Sequence, residues 1–190
     1  MAVLFIWVLC LAFSYFYARK SFFKRQERCF YCIFSLSMAL FVYLKMEGFY
    51  KQSFILMQGC CLLLLSLYDA KEKAVPTNLL VGFVGLNLLS IMNGELSLSE
   101  RLFGCSFVLP FLALFKYYPE CMGEGDLYCI ASLGFAYGAY SLCICLTFSY
   151  LSATLYSLVL LARQKANRQT AIAMFPFFTI GFVLFIALFA

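Results

Sequence analysis

The stretch LLLLSLYDAKEKAVPTNLL, residues 62–80, decides the fold. An unbroken apolar run stops at Asp69, a short polar segment follows, and Pro76 precedes a second apolar run. A segment that leaves an apolar phase, turns and re-enters it reads as two helices joined at one membrane face, with the proline ring fixing the start of the second. Working outward, the apolar runs fall at about 2–18, 29–45, 53–69, 78–93, 101–117, 126–140, 142–162 and 172–190, eight in all. Each approaches the ~20 apolar residues that a spanning helix needs.

Composition points the same way. At 65% hydrophobic and 12% charged, the 190 residues carry more apolar surface than a soluble domain of this size can bury. The expected fold class is all-α: a polytopic transmembrane bundle of about eight helices, because a bilayer requires every backbone group to be satisfied internally.

Charge gives the orientation. The first run has no basic segment before it, whereas Arg19, Lys20, Lys24, Arg25 and Arg28 follow it, so it reads as a retained helix with its N-terminus outside and not as a cleaved signal. On that topology the inner segments hold those five together with Lys71, Lys73, Lys116, Arg163, Lys165 and Arg168, eleven cations; the outer ones hold Lys45, Lys51 and Arg101, three. The 38 residues from Asp126 to Arg163 are then two short spans with a turn near Gly138–Ser141, because a single tilted helix would move Arg163, Lys165 and Arg168 outside. Gly134 and Gly138 form a GxxxG spacing that would let a neighbouring helix come close.

Several function classes drop out. The net charge of +5 is spread over inter-helix segments, so no nucleic-acid partner is expected. Most of the ten cysteines lie inside apolar runs, such as Cys60 and Cys61 or Cys143 and Cys145, and read as small buried hydrophobes. The chain has no histidine, which removes Ser-His and Cys-His nucleophilic pairs and HExxH metal sites. No metal and no cofactor is expected.

Two carboxylates remain at one face. Asp69 lies at the end of its run, and Asp126 begins another in PECMGEGDLYCIASLG, residues 119–134. Gly123 and Gly125 flank Glu124 and would let the backbone take unusual dihedrals and a substrate strand come near. Two close carboxyls cannot both ionise cheaply, so they share a proton: one can accept a proton from water while the other protonates a substrate carbonyl. Asp126 at a helix N-terminus feels the positive end of the dipole and Asp69 at a C-terminus the negative end, so Asp126 is expected to act as base and Asp69 as acid. The acids Glu72, Glu120 and Glu124 on the same side could attract a basic partner.

These residues resemble the GxGD aspartyl peptidases that process type IV prepilins, a family with an Asp, an Ile-Pro or Val-Pro step seven residues on, and then GxGD. Here they are Asp69, Val75-Pro76 and Gly123-Glu124-Gly125-Asp126. The resemblance runs from about residue 55 to the C-terminus, which makes 1–190 one transmembrane peptidase domain with residues 1–54 as two additional helices. It includes a late Pro176-Phe177 element, where IAMFPF at 172–177 stands in place of the family's IPFGPF. It departs at Tyr128, where the family usually has Lys, and at Ala173, where it has proline. Tyr68-Asp69 is also similar to the presenilin branch, but there the two motif helices are consecutive and a Pro-Ala-Leu element follows, which this chain lacks.

The resemblance implies an aspartic endopeptidase of the bacterial cytoplasmic membrane, with Asp69 and Asp126 catalytic and Pro76, Gly123, Glu124, Gly125 and Pro176 close to substrate. Its partners would be pilin-like precursors with a short basic leader before an apolar helix, in type IV pilus assembly or secretion. Larger members carry a CxxC…CxxC insertion tied to N-methylation; only Cys29-Phe30-Tyr31-Cys32 occurs here, so methyltransferase activity is not expected. The competing readings are a non-enzymatic transporter or scaffold whose acids bind a cation or proton, and an inactive relative.

Overall fold

The computed structural model describes residues 49–94, 96–119, 122–163 and 172–189. The expected helices at 2–18 and 29–45, the Cys29–Cys32 pair and Glu120 lie outside the described residues. The elements are α1 (Phe49–Glu72), α2 (Thr77–Leu88) running into a 3-10 turn (Leu89–Asn93), α3 (Leu98–Ser106), α4 (Val108–Tyr117), α5 (Glu124–Ala162) and α6 (Phe175–Phe189). No strand occurs among the described residues. By length and apolarity Lys51–Glu72, Leu98–Tyr117 and Glu124–Ala162 can cross a bilayer, and Thr77–Met92 and Phe175–Phe189 are shorter apolar helices.

Local chemistry sets each boundary. The helix expected to end at Asp69 continues to Glu72 and stops where Lys73 turns left-handed, at φ 51°, its N–H bonded to the Asp69 carbonyl at 2.9 Å. Pro76 stands just before α2, and its carbonyl accepts from the Leu79 and Leu80 amides. Ser97 and Glu100 form a reciprocal capping box that starts α3. The run expected at 101–117 is bent rather than straight, because Pro110 lacks an N–H and its ring crowds the Ser106 carbonyl, where α3 gives way to α4.

α5 doubles back. At Gly138 the backbone takes φ 77° and ψ 174°, outside the helical range, and Leu133, Tyr137, Ser141, Leu142 and Cys145 line one small gap with Phe182 and Phe185 of α6. A methyl placed on Gly134 would stand 3.0 Å from Cδ2 of Leu142, although eight residues of straight helix span about 12 Å. The two arms expected from the charge count are therefore present, with the turn at Gly138.

The bundle is built around these arms. α5 packs against α2, α3, α4 and α6, and α1 packs against α2 and α6. Leu62, Leu65, Phe83, Ile130, Phe178 and Phe182 fill the core. The GxxxG expectation acquires a partner: a Cβ on Gly104 of α3 would collide with the Gly134 carbonyl, and one on Gly134 with the Gly104 carbonyl, so the backbones touch. Between the ends lies a buried polar network in which Gln58 Nε2 donates to Asn87 Oδ1 at 2.6 Å, Asn87 Nδ2 to the Phe83 carbonyl at 2.8 Å and the Tyr137 hydroxyl to Gln58 Oε1. In an apolar medium such bonds hold helices together where the hydrophobic effect cannot.

Candidate functional site

One end of the bundle gathers the C-terminal turn of α1 and the first turns of α2, α5 and α6. Asp69 comes from the first of these and Asp126 from the third position of α5. Both side chains are buried, at 9% and 7% exposure, yet neither is alone: Asp126 feels the charge of Asp69. The structure thus brings together the two acids that the sequence places 57 positions apart.

Each carboxyl is tethered by backbone. Asp126 Oδ2 accepts the Gly123 N–H at 3.2 Å, and the Asp126 N–H returns to the Gly123 carbonyl at 3.1 Å, the usual economy of an acid in a helix's first turn. Asp69 Oδ2 accepts the Phe175 N–H at 3.0 Å from the start of α6. An oxygen that accepts an N–H has that lone pair occupied, so the rotamer of each acid is fixed and its second oxygen is left to carry a proton or meet water.

Asp69 therefore lies between the C-terminal end of α1 and the N-terminal end of α6. The helix-dipole contrast expected to separate an acid from a base is offset, since each carboxyl faces a helix N-terminus.

The glycines need a second correction. Gly123 sits at φ −80°, ψ 150°, ordinary extended backbone, and Gly125 has no positive φ, so the unusual dihedrals expected there do not occur. The capping of α5 already fits common backbone angles. What these glycines leave is space: Gly123 and Glu124 are exposed in front of buried Asp126, and a methyl on Gly125 would meet the Phe175 ring at 3.4 Å.

Phe175 is the residue that sequence reading passed over. Its N–H holds Asp69, its ring lies on the GxGD turn, and it is 2% exposed. The neighbouring Pro176, expected close to substrate, occupies the first turn of α6, where a missing N–H costs nothing. The signal was present in the adjacency of Pro176, but an amide's partner across 106 positions cannot be read from spacing. Pro76 is half-buried at the head of α2, and Glu72 is exposed at the mouth. Tyr128 is 56% exposed, two positions beyond Asp126 and so on the opposite side of the helix. Its departure from the family pattern leaves the paired acids untouched. Among the described residues no group of three His, Cys, Asp or Glu side chains could hold a metal ion.

No curated protein and no solved structure matches the chain. Residues 56–158, more than half of the chain, match the type IV leader peptidase family, a stretch that contains Asp69, Pro76 and the whole of GEGD and ends before Phe175. Apolar membrane-length helices, two acids held at one end of them and this match make the chain a membrane protein that belongs to the type IV leader peptidase family.

Proposed function

We propose that the chain is an aspartic endopeptidase in which Asp69 and Asp126 share one proton and activate a water between them. The observation that carries this reading is the burial of both carboxyls at one end of the bundle, each fixed by a backbone amide and joined through Phe175, whose N–H holds Asp69 and whose ring lies on Gly125 beside Asp126. Close carboxyls that cannot both ionise supply the two roles hydrolysis requires: one takes the proton of the attacking water, the other protonates the scissile carbonyl or the leaving amine. Since a helix N-terminus faces each acid, the pair acts as a unit with neither role assigned to one member.

The substrates in this reading are pilin-like precursors, cut between a short basic leader and the apolar helix behind it. The site lies at the end of the bundle that carries Lys71, Lys73, Lys116 and Arg163, the face placed in the cytoplasm by the charge rule, with the N-terminus of the chain outside. The membrane is the bacterial cytoplasmic membrane. Exposed Glu72 and Glu124 give the mouth negative charge that would draw in a basic leader. Without a CxxC…CxxC domain the product is expected to keep an unmethylated N-terminus.

Co-expression with a pilin-like precursor encoded in the same genome tests the reading by mass spectrometry of the pilin. The expected result is a pilin shortened by its leader, with a free, unmethylated α-amine, and slower cutting at low salt when Glu72 and Glu124 are both changed to Gln. A precursor left at full length, as a transporter or scaffold would leave it, overturns the proposal.

A further inference from the structure

Below the paired acids two hydroxyls meet. Ser66 lies one turn before Asp69 on α1, and Thr179 one turn after Phe175 on α6. Ser66 Oγ is within bonding distance of the Phe175 carbonyl at 2.9 Å, the Leu62 carbonyl at 2.8 Å and Thr179 Oγ1. Thr179 Oγ1 reaches the Phe175 carbonyl at 3.0 Å and that of Leu62 at 3.3 Å. Ser66 and Thr179 are 7% and 4% exposed, so water does not replace these bonds.

The carbonyl they grip belongs to the residue that holds Asp69. Phe175 offers its N–H to Asp69 Oδ2 on one side and its C=O to the Ser66–Thr179 hydroxyl pair on the other, while its ring rests on Gly125; one proton of the pair lies between the two hydroxyl oxygens and the other is left for a carbonyl. The N–H and C=O of Phe175 lie on the two peptide planes that meet at its Cα, and within the first turn of α6 a shift of the carbonyl is passed to the amide through the helical backbone. Packing alone would need only shape at these positions; a hydroxyl pair from two helices that reaches the Phe175 carbonyl is a directional device.

We propose that Ser66 and Thr179 are positioning residues: a hydroxyl clamp that holds Phe175 so that its amide sets the Asp69 carboxyl opposite Asp126. The inference rests on the aspartic peptidase reading above. In a reaction that needs two acids in register, a displacement of about 1 Å can cost up to about a hundredfold in rate.

The test uses the full chain in detergent, with a pilin-like precursor as substrate, and compares wild type, Ser66→Ala, Thr179→Val, Thr179→Ser and the Ser66→Ala/Thr179→Val double variant. Val keeps the shape of Thr without its hydroxyl; Ser keeps the hydroxyl without the methyl. Thr179→Val and Ser66→Ala are each expected to lower kcat about tenfold with KM changed less than about twofold, and Thr179→Ser to stay near wild type. The double variant should fall short of the product of the single losses, because the two hydroxyls act as a pair on one carbonyl. Hydrogen exchange of the Phe175 amide, measured without substrate, should speed up in the double variant. Wild-type kcat in Thr179→Val, an equal loss in Thr179→Ser, or unchanged exchange overturns the clamp. A wild type that cuts no precursor sinks the peptidase reading instead, and the exchange result then judges the clamp by itself.

Discussion

Asp69 and Asp126 owe their placement to backbone amides at two helix starts, Phe175 on α6 and Gly123 on α5. The acids themselves were legible in the sequence, because an Asp at each edge of an apolar run, one of them inside GxGD, is a local pattern. The donor to Asp69 was not, since it depends on where α6 begins in space. Arg101 shows the same limit. Counted as an outer charge, it is 2% exposed; its guanidinium donates to Ser90 Oγ at 2.6 Å and to the carbonyls of Ser90, Leu96 and Phe135, and its Cζ lies 5.8 Å from the centre of the Phe135 ring. The guanidinium thus ties the 3-10 turn and the start of α3 to Phe135, three residues before the break at Gly138. Replacement of Arg101 by Met keeps the length and removes the donors. It is expected to cost about 3 kcal/mol and to lower Tm in detergent, without moving either Asp. An unchanged Tm would mean that the buried guanidinium contributes nothing to the fold.

At the scale of elements, glycine decides the close approaches. Gly104 and Gly134 let α3 and the first arm of α5 touch through their backbones, and Gly138 turns the chain at φ 77°. The GxxxG spacing signalled that some helix would come near Gly134; which helix depended on Gly104, a lone glycine in a run without any motif. The kink between α3 and α4 was open to reading from Pro110, whereas the 3-10 end of α2 carried no such signal. Gly104→Ala forces α3 away from α5, with an expected loss of about 1–3 kcal/mol. Gly125→Ala, whose methyl meets the Phe175 ring at ordinary contact distance, should cost less than half as much. Thermal unfolding of the two variants side by side checks this order, and an equal Tm for both would contradict the backbone contact.

For the whole molecule, the apolar runs and the basic residues specified an all-helical membrane protein, and the helices among the described residues follow those runs from residue 49 on. Lys71, Lys73, Lys116 and Arg163 stand at or just beyond the C-terminal ends of α1, α4 and α5, whereas Lys51 and Arg101 stand in the first turns of α1 and α3. The even number of passages between α1 and the first arm of α5 is what returns the chain to the same face, and that parity was legible long before any side-chain contact. The central claim is that these two acids, brought to one face by topology, cut a peptide bond together. Its most direct test is the rate of leader removal from a purified pilin-like precursor by wild type, Asp69→Asn and Asp126→Asn, with each variant shown by Tm to be folded. Each Asn side chain keeps the shape but cannot exchange the proton, so both variants are expected to lose at least about a thousandfold in kcat. Leader removal at the wild-type rate by either variant would contradict the account.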